Sequence, residues 1–110
     1  MDVAARVINR TSINMAPFKT LRIRAASFFY RGSNWVNGRM RIQFRKANHT
    51  TQIRYSDYVA TTNGLSYYSF DISDINEQAY FVIIIDSTRT DTSGDEGLGG
   101  RVAQIEFLTT

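Results

Sequence analysis

A chain that catalyses proton or acyl transfer needs histidine, cysteine or paired carboxylates, and this sequence offers few of them. His49 is its single histidine and cysteine is absent. A Ser-His-Asp triad could run only through His49, which sits in Lys46-Ala47-Asn48-His49-Thr50, the composition of a hairpin turn where an exposed histidine is the ordinary outcome. A metal site built from several histidines or from thiolates is ruled out. Asp57, Asp71, Asp74 and Glu106 are the carboxylates a glycosidase could use, yet nothing around them singles out a pair flanking a cleft. Asp86, Asp91, Asp95 and Glu96 share the stretch from Asp86 to Gly100 with Gly94, Gly97, Gly99 and Gly100. Oxygen ligands on a glycine-rich loop suit calcium, but the spacing departs from the EF-hand pattern, and solvated acidic loops are the commoner case. The expectation is a protein with no catalytic residue, no cofactor and no assigned metal.

Arginine and the aromatics remain, and both are patterned. Through Arg54 there are nine Arg and two Lys against one acid, Asp2; from Tyr55 onward two Arg face nine acids, and the whole carries +3. Arg22 and Arg24 alternate with Leu21, Ile23 and Ala25. Arg39, Arg41, Gln43 and Arg45 alternate with Met40, Ile42 and Phe44, and Arg54 lies between Ile53 and Tyr55. Successive strand side chains point to opposite faces, so each run buries its apolar set and lines the other face with guanidinium groups. Arginine outnumbers lysine eleven to two. Its planar fork of donors stacks on rings and costs less to desolvate, which suits an interface. Phe28, Phe29, Tyr30 and Trp35 gather around a third loop with Arg31, Asn34 and Asn37, and Tyr55, Tyr58, Tyr67 and Tyr68 follow. Aromatic faces stack on sugar rings or bases, while Asn and Arg supply directed hydrogen bonds.

The elements that must position these residues are strands. Period-two alternation predicts strands at Ala5 to Asn14, Thr20 to Phe29, Arg39 to Lys46, Thr51 to Tyr55, Ser66 to Ile72, Ala79 to Ser87 and Arg101 to Leu108. Breakers fall at Ala16-Pro17, Arg31 to Asn34, Asn37-Gly38, Asn48-His49, Thr62 to Gly64, and in a long loop from Thr88 to Gly100. Asp71 to Ile75 reads as one helical turn capped by Ser73. Tyr80 to Ile85 is apolar on both faces, a central strand covered by the second sheet and by a loop or neighbouring subunit. The pattern predicts an all-β, two-sheet antiparallel β-sandwich occupying 1–110 as a single domain. Its core would include Leu21, Ile23, Met40, Ile42, Phe44, Ile53, Phe70, Ile83, Ile105 and Phe107.

At 110 residues and 43% hydrophobic, the chain is long enough for one core. No window has the apolar length needed to span a bilayer. Met1 to Met15 lacks the apolar centre of a secretory signal, so export would need another route, such as cell lysis. Asn9-Arg10-Thr11 and Asn48-His49-Thr50 match the glycosylation pattern, which carries meaning only on secretion.

Three stretches carry a resemblance. Met15-Ala16-Pro17-Phe18-Lys19-Thr20-Leu21-Arg22-Ile23 resembles the segment that opens jelly-roll modules of phage tail and baseplate proteins. Ser69 to Ser73 followed by Ala79 to Ile83 resembles their paired late strands, and Gly100 to Leu108 their last strand. The likeness covers most of the chain after residue 12. It implies a sandwich of jelly-roll type, found on a virion or outside the cell. Like many carbohydrate-binding modules, such a piece binds surface saccharides or packs into a fibre, often as a homotrimer.

The expected function is therefore a non-enzymatic binding or adhesion module, a phage tail-type appendage that recognises cell-surface carbohydrate. Tyr30, Arg31, Asn34 and Trp35 are its expected contacts, with Tyr58 beside them. Trp35 would stack on a sugar, and Asn34 and Arg31 would bond hydroxyls or an acidic substituent. The alternative is a polyanion or nucleic-acid binder using a basic face of Arg22, Arg24, Arg39, Arg41, Arg45 and Arg54, with strongly salt-dependent affinity. A third reading is a purely structural oligomeric subunit. The split charge also predicts self-association, with trimer as its form: arginines such as Arg22, Arg24, Arg39 or Arg41 would meet Asp71, Asp74, Asp91 or Glu106 of another copy. The competing outcome is that these groups neutralise each other across one sheet.

Overall fold

Alternating apolar residues on facing strands bury one side of each sheet, and the described residues form nine strands arranged this way. The computed structural model describes residues 3–8, 11–31, 34–62, 64–87 and 96–110, with side chains described for 11–26, 38–62, 64–85 and 100–110. The strands are β1 (Val3–Ile8), β2 (Ile13–Asn14), β3 (Thr20–Arg31), β4 (Asn34–Lys46), β5 (Gln52–Tyr55), β6 (Val59–Ala60), β7 (Ser66–Asp71), β8 (Gln78–Ser87) and β9 (Glu96–Leu108).

They form two antiparallel sheets packed as a β-sandwich. In the larger sheet β8 lies between β4 on one side and β1 and β2 on the other, while β4 carries β5 and β6 on its far edge. In the smaller sheet β3 lies between β7 and β9. The sheets are joined where β3 runs into β4, with Phe28 to Arg31 paired against Asn34 to Asn37. Between the layers lie Leu21, Ile23 and Ala25 of β3, Met40, Ile42 and Phe44 of β4, Phe70 of β7, and Phe81, Ile83 and Ile85 of β8. Met15, Ile72, Ile75 and Ala79 close the same core. Each large apolar side chain fully buried here stabilises the fold by about 1.5–3 kcal/mol.

The strand pattern is as the alternation predicts, but several boundaries differ. The long hairpin continues two residues beyond Phe29 and starts five before Arg39, so Trp35 lies in a strand rather than a loop. Asn37-Gly38 does not break β4. Gly38 is buried and paired with Ser87, and its carbonyl accepts the Thr61 N–H at 2.9 Å. The first predicted strand is two, both on β8. Glu96 to Gly100 are not loop: they open β9, where Gly97 and Gly99 pair with Tyr30 and Phe28. Asp71 to Ile75 form a non-helical turn, and its cap is Asp71 rather than Ser73. Asp71 Oδ1 accepts both the Ser73 N–H (2.9 Å) and the Ser73 hydroxyl (2.7 Å). In this turn the Ser73 hydroxyl serves as a donor to Asp71. Ile105 is 36% exposed although it pairs with buried Ile23, because β9 is an edge strand and its register shifts nearby. Ile53 and Phe107 are only partly buried at the core's margin.

β8 is a central strand. Val82 and Ile84 face away from the core yet are buried within the single chain, Val82 between Ile8 and Gln43 in register and Ile84 between Arg6 and Arg41. No neighbouring subunit is required to cover them.

Candidate functional site

Because Met40, Ile42 and Phe44 point inward, Arg39, Arg41, Gln43 and Arg45 line the outer face of the larger sheet. The turn after Lys46 brings the chain back along β4, and that return places two tyrosines beside the arginines. Tyr55 pairs with Gln43 on β5, and Tyr58 enters β6, whose Val59 and Ala60 pair with Met40 and Arg39. Ser56 bridges the gap between the two short strands. Its hydroxyl accepts the Ile42 N–H at 2.9 Å, and its own N–H donates to the Ile42 carbonyl at 2.8 Å. One residue thus keeps the β4 ladder satisfied while Tyr55 and Tyr58 turn outward.

The result is an interleaved ladder of rings and guanidinium groups. The Arg39 guanidinium carbon lies 3.7 Å from the Tyr58 ring centre. That of Arg41 lies 3.8 Å from Tyr55 and 4.7 Å from Tyr58. Each is close enough for cation–π attraction, which stiffens long side chains that would otherwise sample many rotamers. Both tyrosines are still 37% exposed. On the other side of β4, buried Val82 and Ile84 of β8 pair with Gln43 and Arg41. Arg45 continues the face, held by Gln43 Oε1 (3.1 Å from Nε), and its Nη1 lies 3.5 Å from His49 Nδ1. His49 is not the exposed turn residue expected: it is half-buried, has a positive φ of 67°, and packs on Tyr80 with ring centres 4.3 Å apart.

The six arginines expected to form one basic face do not share one. Arg22 and Arg24 lie on the outer face of the opposite sheet, around Tyr67, at 4.8 and 5.7 Å from its ring. Arg22 is held there by Glu106, which keeps its guanidinium pKa above the ordinary value through their hydrogen bonds. Arg54 pairs with inward-facing Phe44, with its guanidinium over that ring at 5.1 Å. It reaches across the edge of the sandwich to Asp74 (Nε–Oδ2 2.7 Å, Nη2–Oδ1 2.8 Å) and to the Asp71 carbonyl (2.8 Å). The hydrogen bonds from Arg54 hold the Asp74 carboxyl below its usual range, and those from Ser73 do the same for Asp71. A groove of about 480 Å³ runs along this edge, lined by Arg54, Asp57, Ser69, Phe70, Asp71 and Asp74 among others.

Of the residues expected to bind carbohydrate, the strand register sets Tyr30 opposite Trp35 and Arg31 opposite Asn34 at the end of the β3–β4 hairpin. Their side chains lie outside the described residues. Tyr58 is separate in sequence but stands beside β4, the strand that carries Trp35 four residues before Arg39. Asp91 and Asp95 lie outside the described residues, so the acidic loop from Asp86 is described only at its strand ends.

The chain matches no family model and no curated protein. Its own surface has to supply the functional reading. Tyr55 is the residue that reasoning from the sequence left out of the expected site. A signal for it existed: an Arg-alternating strand, a turn, and two tyrosines within the returning segment place rings beside guanidinium groups.

Proposed function

We propose that this protein is a non-enzymatic binding module for cell-surface carbohydrate, working as a phage tail-type appendage outside the cell or on a virion. The supporting observation is the pair of half-exposed tyrosine rings, Tyr55 and Tyr58, braced by Arg39 and Arg41. Flat rings fixed in orientation are suited to stack on the apolar face of a sugar, and adjacent guanidinium donors are suited to bond its oxygens. The hairpin bearing Tyr30, Arg31, Asn34 and Trp35 extends the same strand and belongs to the proposed contact region. The jelly-roll affiliation and a trimeric fibre context rest on the resemblance of the opening, late and closing strands to tail modules. A glycan array probed with the intact chain tests the reading: retention of at least one saccharide class supports it, and retention of none opposes it. Repeating a hit at low and high salt separates ring stacking from a nucleic-acid mode, whose affinity falls steeply as counterions are restored.

A further inference from the structure

Arg41 carries an inference that rests on the carbohydrate reading and sharpens its ligand. We propose that the saccharide bound on this face bears an oxyanion substituent, a carboxylate, sulfate or phosphate, and that the Arg41 guanidinium receives it.

Four other described cations have polar partners. Arg22 holds Glu106, Lys46 holds Glu77, Arg54 holds Asp74, and Arg45 leans on Gln43 and His49. Arg41 has two tyrosine rings and, among the described residues, no hydrogen bond and no carboxylate. Its Nε is closed off from solvent with no acceptor. Because the side chain as a whole is only half-buried, its contact with water is left to other atoms, the terminal Nη groups among them. The buried Nε has given up hydration without gaining an acceptor, while the Nη groups keep donors available to an arriving anion.

The two rings also fix the guanidinium plane. A planar fork held in one orientation presents parallel N–H donors, which match the two oxygens of a carboxylate or the edge of a sulfate or phosphate. The tyrosine faces beside it would hold the sugar ring that carries the anion. One such cation marks a single anion rather than a polyphosphate. A nucleic acid gains affinity from a row of phosphates, and the remaining cations here are committed or lie on the opposite face.

The test is a panel of uronic-acid, sulfated and phosphorylated oligosaccharides, each beside its esterified, desulfated or dephosphorylated form. Each is titrated against the wild-type chain, Arg41→Gln and Arg41→Lys, with circular dichroism showing that the variants fold. For at least one pair the anionic member should bind the wild type more tightly by about tenfold or more. Arg41→Gln should shrink that preference to about twofold or less, whatever it does to the affinity for the neutral member, and Arg41→Lys should restore only part of it. Equal binding of both members, or a preference untouched in Arg41→Gln, overturns the inference while the carbohydrate reading stands. No binding of any member overturns both. Tighter binding of a single-stranded DNA oligomer than of every saccharide replaces the ligand with nucleic acid.

Discussion

Arg22 and Glu106 grip each other across the outer face of the smaller sheet, with Arg22 Nη2 at 3.0 and 2.9 Å from the two carboxylate oxygens and Nε at 3.3 Å from one of them. They are directly opposite in the β3–β9 register. Gln104 braces the same carboxylate at 3.0 Å, and Tyr67 bonds Gln104 in turn. A basic early strand and an acidic late one are therefore neighbours within the fold. Arg54–Asp74 and Lys46–Glu77 repeat the arrangement elsewhere. Much of the charge separation along the sequence is cancelled when the chain folds.

That cancellation bears on self-association. Glu106 and Asp74, two of the acids that could have met arginines of another copy, are engaged inside the chain. We therefore expect any trimer to be held by contacts other than charge. Sedimentation at micromolar protein should give the same mass at low and high salt. A trimer that falls to the 12.5 kDa chain as salt rises would place the charges back at the interface.

Asp74 makes part of the fold's stability pH-dependent. Its carboxyl titrates below the ordinary 3.8 because Arg54 bonds the ionised form. A depressed carboxylate stabilises the fold fully above its unfolded pKa, and that contribution disappears as pH falls through the folded one. Asp74→Asn should then cost about 0.5 kcal/mol at neutral pH, a small figure because the pair is exposed and screened. The gap from the wild type should close in acid well below pH 3.8. Urea titrations of both proteins across that range measure it, and a gap that widens in acid would contradict the assignment.

Ser56→Ala should affect stability and site together. Removing the hydroxyl takes away the acceptor of the Ile42 N–H, and a buried unpaired N–H costs about 1–3 kcal/mol. The same change frees the segment carrying Tyr55 and Tyr58. Thermal unfolding should show the loss, and amide exchange should quicken at Ile42. Unchanged protection there would mean that Ser56 does not hold the ladder.

The left-handed backbone at His49 separates two contributions. His49→Val should destabilise by about 1–2 kcal/mol, since a β-branched residue tolerates positive φ poorly. His49→Asn should lose less, because asparagine adopts this conformation readily even though the packing on Tyr80 is gone. Equal losses in denaturant melts would assign the effect to the ring contact instead.

The alternation of Leu21, Ile23, Met40, Ile42, Phe44 and Ile83 made the sandwich and most of its core legible in the sequence. Those residues are buried as their period-two spacing requires. Local breaker signals were less dependable. Asn37-Gly38 is absorbed into β4 because cross-strand pairing with β8 and the bond from Thr61 satisfy its backbone, and such tertiary pairing overrides turn propensity. Arg54 left the expected basic face because the β4–β5 register pairs it with inward-facing Phe44 at the edge of the sandwich. The Tyr55–Arg41–Tyr58–Arg39 ladder was hidden for a different reason. Its members meet only through the register of β5 and β6 against β4, which the spacing within any single strand does not encode.

The claim that this face binds sugar is tested most directly by glycan-array retention of the wild-type chain beside Tyr55→Ala, Tyr58→Ala and the double variant. Both rings are on the surface, so the variants should remain folded, as their circular dichroism would show. Each single change should weaken retention by about tenfold, in line with a lost stacking contact of about 1–1.5 kcal/mol, and the double variant should lose it. Retention by the folded double variant equal to that of the wild type would contradict the account.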